Sequence, residues 1–355
     1  MTLLWAGFLL GCAFGVAARL GRFCLLRGLR QQLHTASRES GGAPALQAFA
    51  LALAVALLAT QALAFRGAID LAQAQVVRPS FSLPGVLLGG LLFGAGMALA
   101  RNCGARALVL LAGGNLRALV VLLCLGLAAQ ATLTGVLAPV RQWLQGWGTV
   151  TLEHATLAQQ LQAAGLPDWA TLALAAALPA LALLGYALWQ PALRHSGVQL
   201  LCAIAIGALV AAGWWVTAQV GIDPFEPAPL TSLSFIGPVA ESLLYLQLAV
   251  GRGASLGPAL VAGTLVGAFG AALLSRSARW EGFDHPARLA ASAAGGLLMG
   301  LGGVLAVGCS IGQGLSGLST LAFASLPAAA GIVAGALGTL QLQAKFSSSQ
   351  RGAFP

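Results

Sequence analysis

Charge is what this sequence has least of. Asp, Glu, Lys and Arg make up 8% of the 355 residues, against 58% hydrophobic. A soluble domain needs charge on about a quarter of its residues to cover its surface. A water-facing exterior is therefore excluded, and the outer surface has to face lipid. Lysine occurs once, as Lys345, so the formal net charge of +9 is carried by arginine. The arginines stand in short segments between apolar runs, which is how loops facing anionic membrane lipid are built. A nucleic-acid partner is not expected.

Paired cysteines are also lacking. Cys12, Cys24, Cys103, Cys124, Cys202 and Cys309 include no CxxC and join no His/Cys cluster with metal-ligand spacing. That argues against a dithiol redox motif and a zinc site, and no metal or cofactor is expected. All six fall in apolar segments and are taken as free thiols. Cys12, Cys124 and Cys202, set among Leu and Ala, are expected to act as small hydrophobes. The N-terminus lacks the positive stretch of a signal peptide, because residues 1–11 contain no Lys or Arg. The run Leu9-Leu10-Gly11-Cys12 is accordingly not treated as a cleavage box, and 2–20 is expected to be retained as a first membrane helix.

What is there is a series of apolar runs. A spanning helix needs about 20 mainly apolar residues, and 2–20, 44–64, 116–138, 168–189, 197–218, 256–275 and 325–343 qualify. Three further stretches, 84–112, 233–250 and 289–322, are interrupted by Gly, Pro or Cys, as in broken or re-entrant helices that line a protected cavity. The loop 21–43 holds Arg22, Arg27, Arg30 and Arg38 against Glu39. The loop 276–288 holds Arg276, Arg279 and Arg288 against Glu281 and Asp284. The segment 219–230 holds Asp223 and Glu226 without a base, and 141–167 places Trp143 and Trp147 where an interfacial belt lies. Basic loops inside put the N-terminus outside and the C-terminus inside. The expectation is an all-α polytopic protein of nine crossings, seven continuous and two broken, with 233–250 dipping in and returning.

An internal repeat marks the centre. Residues 89–103, GGLLFGAGMALARNC, match residues 295–309, GGLLMGLGGVLAVGC, at nine of fifteen positions without a gap, both ending in cysteine. Gly90/Gly94 and Gly296/Gly300 form GxxxG pairs that let helices approach closely, and the Gly and Asn residues beside each cysteine suit a helix break. Two broken segments of opposite direction point to two inverted halves, 1–140 and 197–355, joined by 141–196, with the site near the midplane. A neutral thiol hydrogen-bonds weakly and is a poor partner for hard ions. It suits a polarizable sulfur-bearing group, while Arg22, Arg101 and Arg106 beside Cys24 and Cys103 favour an oxyanion. Gly104, Gly308, Ser310 and Gln313 flank the two repeat cysteines and are grouped with the arginines as supporting residues.

Three motifs, Gly21-Arg22-Phe23-Cys24, Met97 to Asn115 and Gly308-Cys309-Ser310-Ile311-Gly312-Gln313-Gly314, with Ser232 to Pro238, resemble the YeeE/YedE family from residue 7 to about 340. The resemblance implies a bacterial inner-membrane protein for thiosulfate uptake, hourglass-shaped and built from inverted halves. It implies a relay of thiosulfate between the thiols of Cys24, Cys103 and Cys309 through S–H···S contacts without lasting covalent bonds. It also raises a small cytoplasmic sulfur-carrier protein as a partner, and selenium or other sulfur compounds as alternative cargo. Cys24 has no evident counterpart in the second half, so the relay is expected to be asymmetric. The competing functions are a membrane thiol oxidoreductase or sulfurtransferase, weakened by the missing CxxC and by histidines remote from the cysteines, and a non-catalytic scaffold. Glu241, inside 233–250, is the nearest intramembrane acid; a structural role, paired with Arg252 or capping its segment, is preferred to proton coupling.

Overall fold

The structure, a computed structural model, describes residues 2–35, 44–189, 191–221, 229–251, 253–282 and 285–351. Arg38, Glu39, Asp223, Glu226, Arg252 and Asp284, which enter the charge argument above, lie outside the described residues.

The first part of the chain forms α1 (Thr2–Leu20), α2 (Leu25–Thr35), α3 (Pro44–Phe65), α4 (Leu83–Ala100), α5 (Gly104–Ala112) and α6 (Leu116–Leu133). A connecting region follows with α7 (Ala138–Gly146), α8 (Leu157–Ala163), α9 (Asp168–Leu172), a π turn, α10 (Leu178–Trp189) and α11 (Pro191–Arg194). The last part holds α12 (Gly197–Val220), α13 (Ile236–Leu248), α14 (Leu256–Leu274), α15 (Pro286–Leu305), a π turn at Gly312–Gly317 and α16 (Ser325–Arg351). Two three-residue strands, β1 (Ser80–Ser82) and β2 (Thr149–Thr151), pair antiparallel. The protein is thus an all-α polytopic membrane protein. Among the described residues nine helical spans are long and apolar enough to cross a membrane.

Two boundaries differ from the sequence expectation. The 21–43 stretch is not simply a loop, because α2 occupies its first part and continues the first span to Leu33. The helix expected over 116–138 ends at Leu133, where the Thr134 and Gly135 amides fold back onto the Gln130 carbonyl.

Side-chain caps start several helices. The Ser82 hydroxyl accepts from the Gly85 amide at 3.0 Å to open α4, and Asn115 Oδ1 accepts from Ala118 to open α6. The helices then close on glycine. Gly90 and Gly94 of α4 lie against the backbone of α16 around Ala328 and Ile332, and Gly296 and Gly300 of α15 lie against α6 around Val121 and Leu125. Between these two pairs, α4 and α15 cross each other. A Cβ on Gly96 would stand 2.5 Å from the Gly295 carbonyl oxygen, and one on Gly302 would stand 2.5 Å from that of Gly89. Residue numbers rise on one helix as they fall on the other, so the two matched segments run antiparallel. No side chain separates their backbones.

Two ends of the bundle can be recognised from backbone pairing. At one end Arg279 and Glu281 donate to Gly113 and Gly114, and Arg19 donates to the Ser277 carbonyl at 2.8 Å. At the other, Gln75 donates to Leu230, and Leu157 to Leu321.

Candidate functional site

Each of three cysteines follows a helix that stops in the same unusual way. Arg22, Arg101 and Val307 adopt left-handed φ values of 48°, 59° and 58°, and Cys24, Cys103 and Cys309 stand two residues beyond them. A left-handed residue at a helix end lets the chain reverse while the last carbonyls stay bonded. The Phe23 amide reaches the Ala18 carbonyl at 3.1 Å, and the Gly308 amide reaches that of Gly303 at 2.8 Å. At Val307 the residue is β-branched, so the conformation costs about 1–3 kcal/mol and survives only if its surroundings hold it. Gln313 does so: its Nε2 donates to the carbonyls of both Ala306 (2.7 Å) and Val307 (3.1 Å).

After each break the cysteine begins the next helical segment, with its sulfur turned to that segment's first amides. Cys24 faces the Leu26 and Arg27 amides, and Cys103 faces that of Arg106. The Gly312 amide donates to Cys309 Sγ at 3.3 Å. All three thiols are buried, at 6%, 3% and 1% exposure, so they are shielded from both water and lipid.

The breaks converge. The Cys24 and Cys103 thiols are within hydrogen-bonding reach of each other, and on its other side Cys103 meets the Ser310 hydroxyl. Ser310 is the neighbour of Cys309. Cys309 with Ser310, then Cys103 and Cys24, therefore form a file of buried thiols and one hydroxyl in the core. Polar atoms around it are left without partners among the described residues: Asn102 Oδ1, Arg106 NH1, Gln313 Oε1 and Ser310 Oγ, which has no nitrogen or oxygen partner. Buried polar groups are normally paired, and unpartnered atoms on residues next to the cysteines leave capacity for something else that hydrogen-bonds.

The proposed arginines do not share one role. The Arg106 guanidinium lies within electrostatic reach of Cys24, whereas Arg22 and Arg101 are exposed at the breaks themselves. Arg27 and Arg30 of α2 also lie near Cys24 and were not singled out by motif. Their spacing from Cys24, three and six residues along a helix, was the available signal. None of these five arginines is ion-paired among the described residues, where Arg117 with Glu281, 3.7 Å apart, forms the one salt bridge resolved. Gly104 and Gly308 are spacers, since a Cβ on Gly308 would meet the Gln313 side chain at 3.0 Å.

From the opposite end a cavity of about 130 Å³ reaches the Cys309 break. Val307 and Gln313 form its floor and Arg78, Ser80, Gln145 and Thr149 its walls. Arg141 bonds Gln145 at 3.3 Å. Burial, and secondarily the Arg141 guanidinium, push the Arg78 guanidinium below its ordinary value. Two unpaired cations set close together favour an anion between them. Arg78 had no motif to reveal it. A second, larger cavity between α5, α14 and Trp280 is apolar and contains none of the cysteines.

The remaining expectations divide. Cys12 and Cys124 are half-buried packing residues, while Cys202 is buried with its Cβ against Gly21. Glu241, in α13, accepts from the Ser255 hydroxyl at 2.7 Å, and Ser255 immediately precedes α14. Beside Cys309 lies the loop Leu233-Ser234-Phe235, which brings no second thiol there.

Comparison with known proteins places these features in a lineage. A family profile described as sulphur transport matches residues 20–338. The chain is 25% identical over 341 residues to the thiosulfate transporter TsuA of Escherichia coli, covering 88% of this chain and 87% of the relative. It is 26% identical over 329 residues to the thiosulfate transporter TsuA of Spirochaeta thermophila, covering 91% and 94% respectively.

Proposed function

Because the chain belongs to the sulphur transport family, the YeeE/YedE family its motifs resemble, we propose that it takes up thiosulfate by passing it along buried thiols. The observation that carries this reading is the file Cys309, Ser310, Cys103 and Cys24, with Cys24 and Cys103 in mutual reach. A thiol is a soft, weak donor that can hold the terminal sulfur of thiosulfate and release it readily. The amides that begin each half-helix, together with Arg106, offset the anion's charge in a medium that otherwise penalises it. No bond is made or broken, so the protein acts as a carrier and not an enzyme.

The antiparallel crossing of α4 and α15 supports two inverted halves, 1–140 and 197–355, with 141–196 between them. We further infer an inner-membrane location with the Arg22, Arg27 and Arg106 end in the cytoplasm, the N-terminus outside and the C-terminus inside. Thiosulfate then enters by the Arg78 cavity, meets Cys309 first and leaves past Cys24. On the cytoplasmic side a small sulfur-carrier protein would be the consumer. Labelling of a cysteine introduced at Arg78 by an impermeant reagent from outside tests the orientation.

The deciding experiment is growth on thiosulfate as sole sulfur source in a bacterium lacking its own importers. Wild type is expected to restore growth, and Cys24→Ala, Cys103→Ala and Cys309→Ala, at matched membrane levels, are expected not to. Growth by all three variants would remove the relay. The contact of Cys24 with Cys103 also favours a second reading, thiol oxidoreductase chemistry. A mixed disulfide or persulfide trapped on either residue during turnover would support it, and turnover without any such adduct would dispose of it.

A further inference from the structure

The loop Thr231–Phe235 comes closest to Cys309 from outside its own segment, and it is held there firmly. Thr217 Oγ1 donates to the Thr231 carbonyl (2.7 Å), Ser232 Oγ to that of Val210 (2.6 Å), and Ser316 Oγ to that of Leu233 (2.8 Å). Phe235 is fully buried, its ring 4.8 Å from that of Phe14. The hydroxyls of Thr231 and Ser232 are thus consumed by backbone carbonyls. Ser234 differs. Among the described residues its hydroxyl has no partner, although the side chain is half-buried and the hydroxyls of Thr231, Ser232 and Ser316 around it are all used.

Its position is defined by Gly312. A Cβ built on Gly312 would stand 2.8 Å from Ser234 Oγ and 3.7 Å from Cys309 Sγ. The hydroxyl and the thiol therefore flank one glycine, and no side chain stands between them. The Gly312 amide, bonded to Cys309 Sγ at 3.3 Å, lies in the same corner.

We propose that Ser234 contacts the substrate beside Cys309, donating its hydroxyl hydrogen to a sulfonate oxygen while the thiol meets the terminal sulfur. This rests on the thiosulfate reading above and deepens it, because the two ends of thiosulfate differ in hardness. A hydroxyl is the stronger hydrogen-bond partner for a charged oxygen, and a thiol the better match for sulfur. One Ser/Cys pair consequently reads both ends of the anion, and an anion without a terminal sulfur satisfies only half of it.

The test is uptake of radiolabelled thiosulfate by the full-length protein in proteoliposomes, comparing wild type with Ser234→Ala and Ser234→Thr. Loss of one hydrogen bond to a charged group corresponds to about tenfold or more in affinity. The expected result is a KM raised about tenfold in Ser234→Ala, with the maximal rate less affected, and a KM near wild type in Ser234→Thr, which keeps the hydroxyl. An unchanged KM in Ser234→Ala overturns the assignment, as does equal impairment in both variants, which would show that shape and not the hydroxyl matters. Absence of saturable uptake by the wild type overturns the transport reading and this inference with it, so the two failures are distinguishable.

Discussion

The two breaks that carry Cys103 and Cys309 share a backbone course but have opposite surroundings. In the first, Arg101-Asn102-Cys103-Gly104 leads to Arg106; in the second, Val307-Gly308-Cys309-Ser310 leads to Gly312 at the matching place. The first break is therefore fringed by cations, with Arg27 and Arg30 added by α2. The second is fringed by hydroxyls and amides, and its nearest cation, Arg78, stands off across a cavity. The left-handed turn is a property of the fold, since Arg and Val both adopt it. The electrostatics are a property of the side chains. The relay proposed above would use this difference, with weak, reversible holding at one break and a charge gradient towards the other.

The comparison can be broken most decisively at the thiols. Cys103 touches groups from both breaks, and Cys103→Ala is expected to bring thiosulfate uptake to background while purified protein still elutes as a single species. The crossing beneath the breaks comes next. Gly302→Leu forces a side chain into the Gly89 carbonyl, a conflict beyond the about 1–3 kcal/mol of ordinary overpacking, and detergent-solubilised protein should fail to yield a monodisperse peak. Gln313→Ala removes both bonds that hold Val307 and should cost about 2 kcal/mol, read as a lower unfolding temperature. The matching position after Cys103 is Ala107, where Ala107→Gly should have no comparable link to the break and a smaller effect of about 1 kcal/mol. Arg78→Gln should raise the KM for thiosulfate severalfold at low ionic strength and much less in high salt, where charge steering is screened. Cys124→Ala, at a packing thiol, should leave uptake unchanged and alter stability within about 1 kcal/mol.

What was legible in the sequence followed from constraints that act locally. Glycines that let helices touch must recur at helical spacing, so the repeat over 89–103 and 295–309 was visible as letters, and the spans were visible as apolar length. The cysteines at its ends were visible because a thiol at a helix break has few other uses. Helix α2 was less visible as a helix because Arg27 and Arg30 face the protein's polar interior, where hydropathy misreads a membrane-embedded segment as a loop. Arg78 could not be found at all, and Ser234 was visible only as one letter of the Ser232 to Pro238 stretch, with nothing to give it a role. Each is placed by a long excursion of the chain, Arg78 through the pairing of β1 with β2 and Ser234 through bonds from α12 and the Gly312–Gly317 turn. No periodicity encodes such tertiary ties.

The glycine crossing of α4 and α15 has a consequence for length. Cys103 lies seven residues beyond Gly96, and Cys309 seven beyond Gly302. With the two backbones in contact and in antiparallel register, those equal arms work as a gauge. The gap between the thiols is inherited from a register that no side chain can stretch, and a slip of one residue would press a Cβ into a carbonyl before it moved either sulfur. On the relay proposed above, the step length from one soft atom to the next is cut into the main chain.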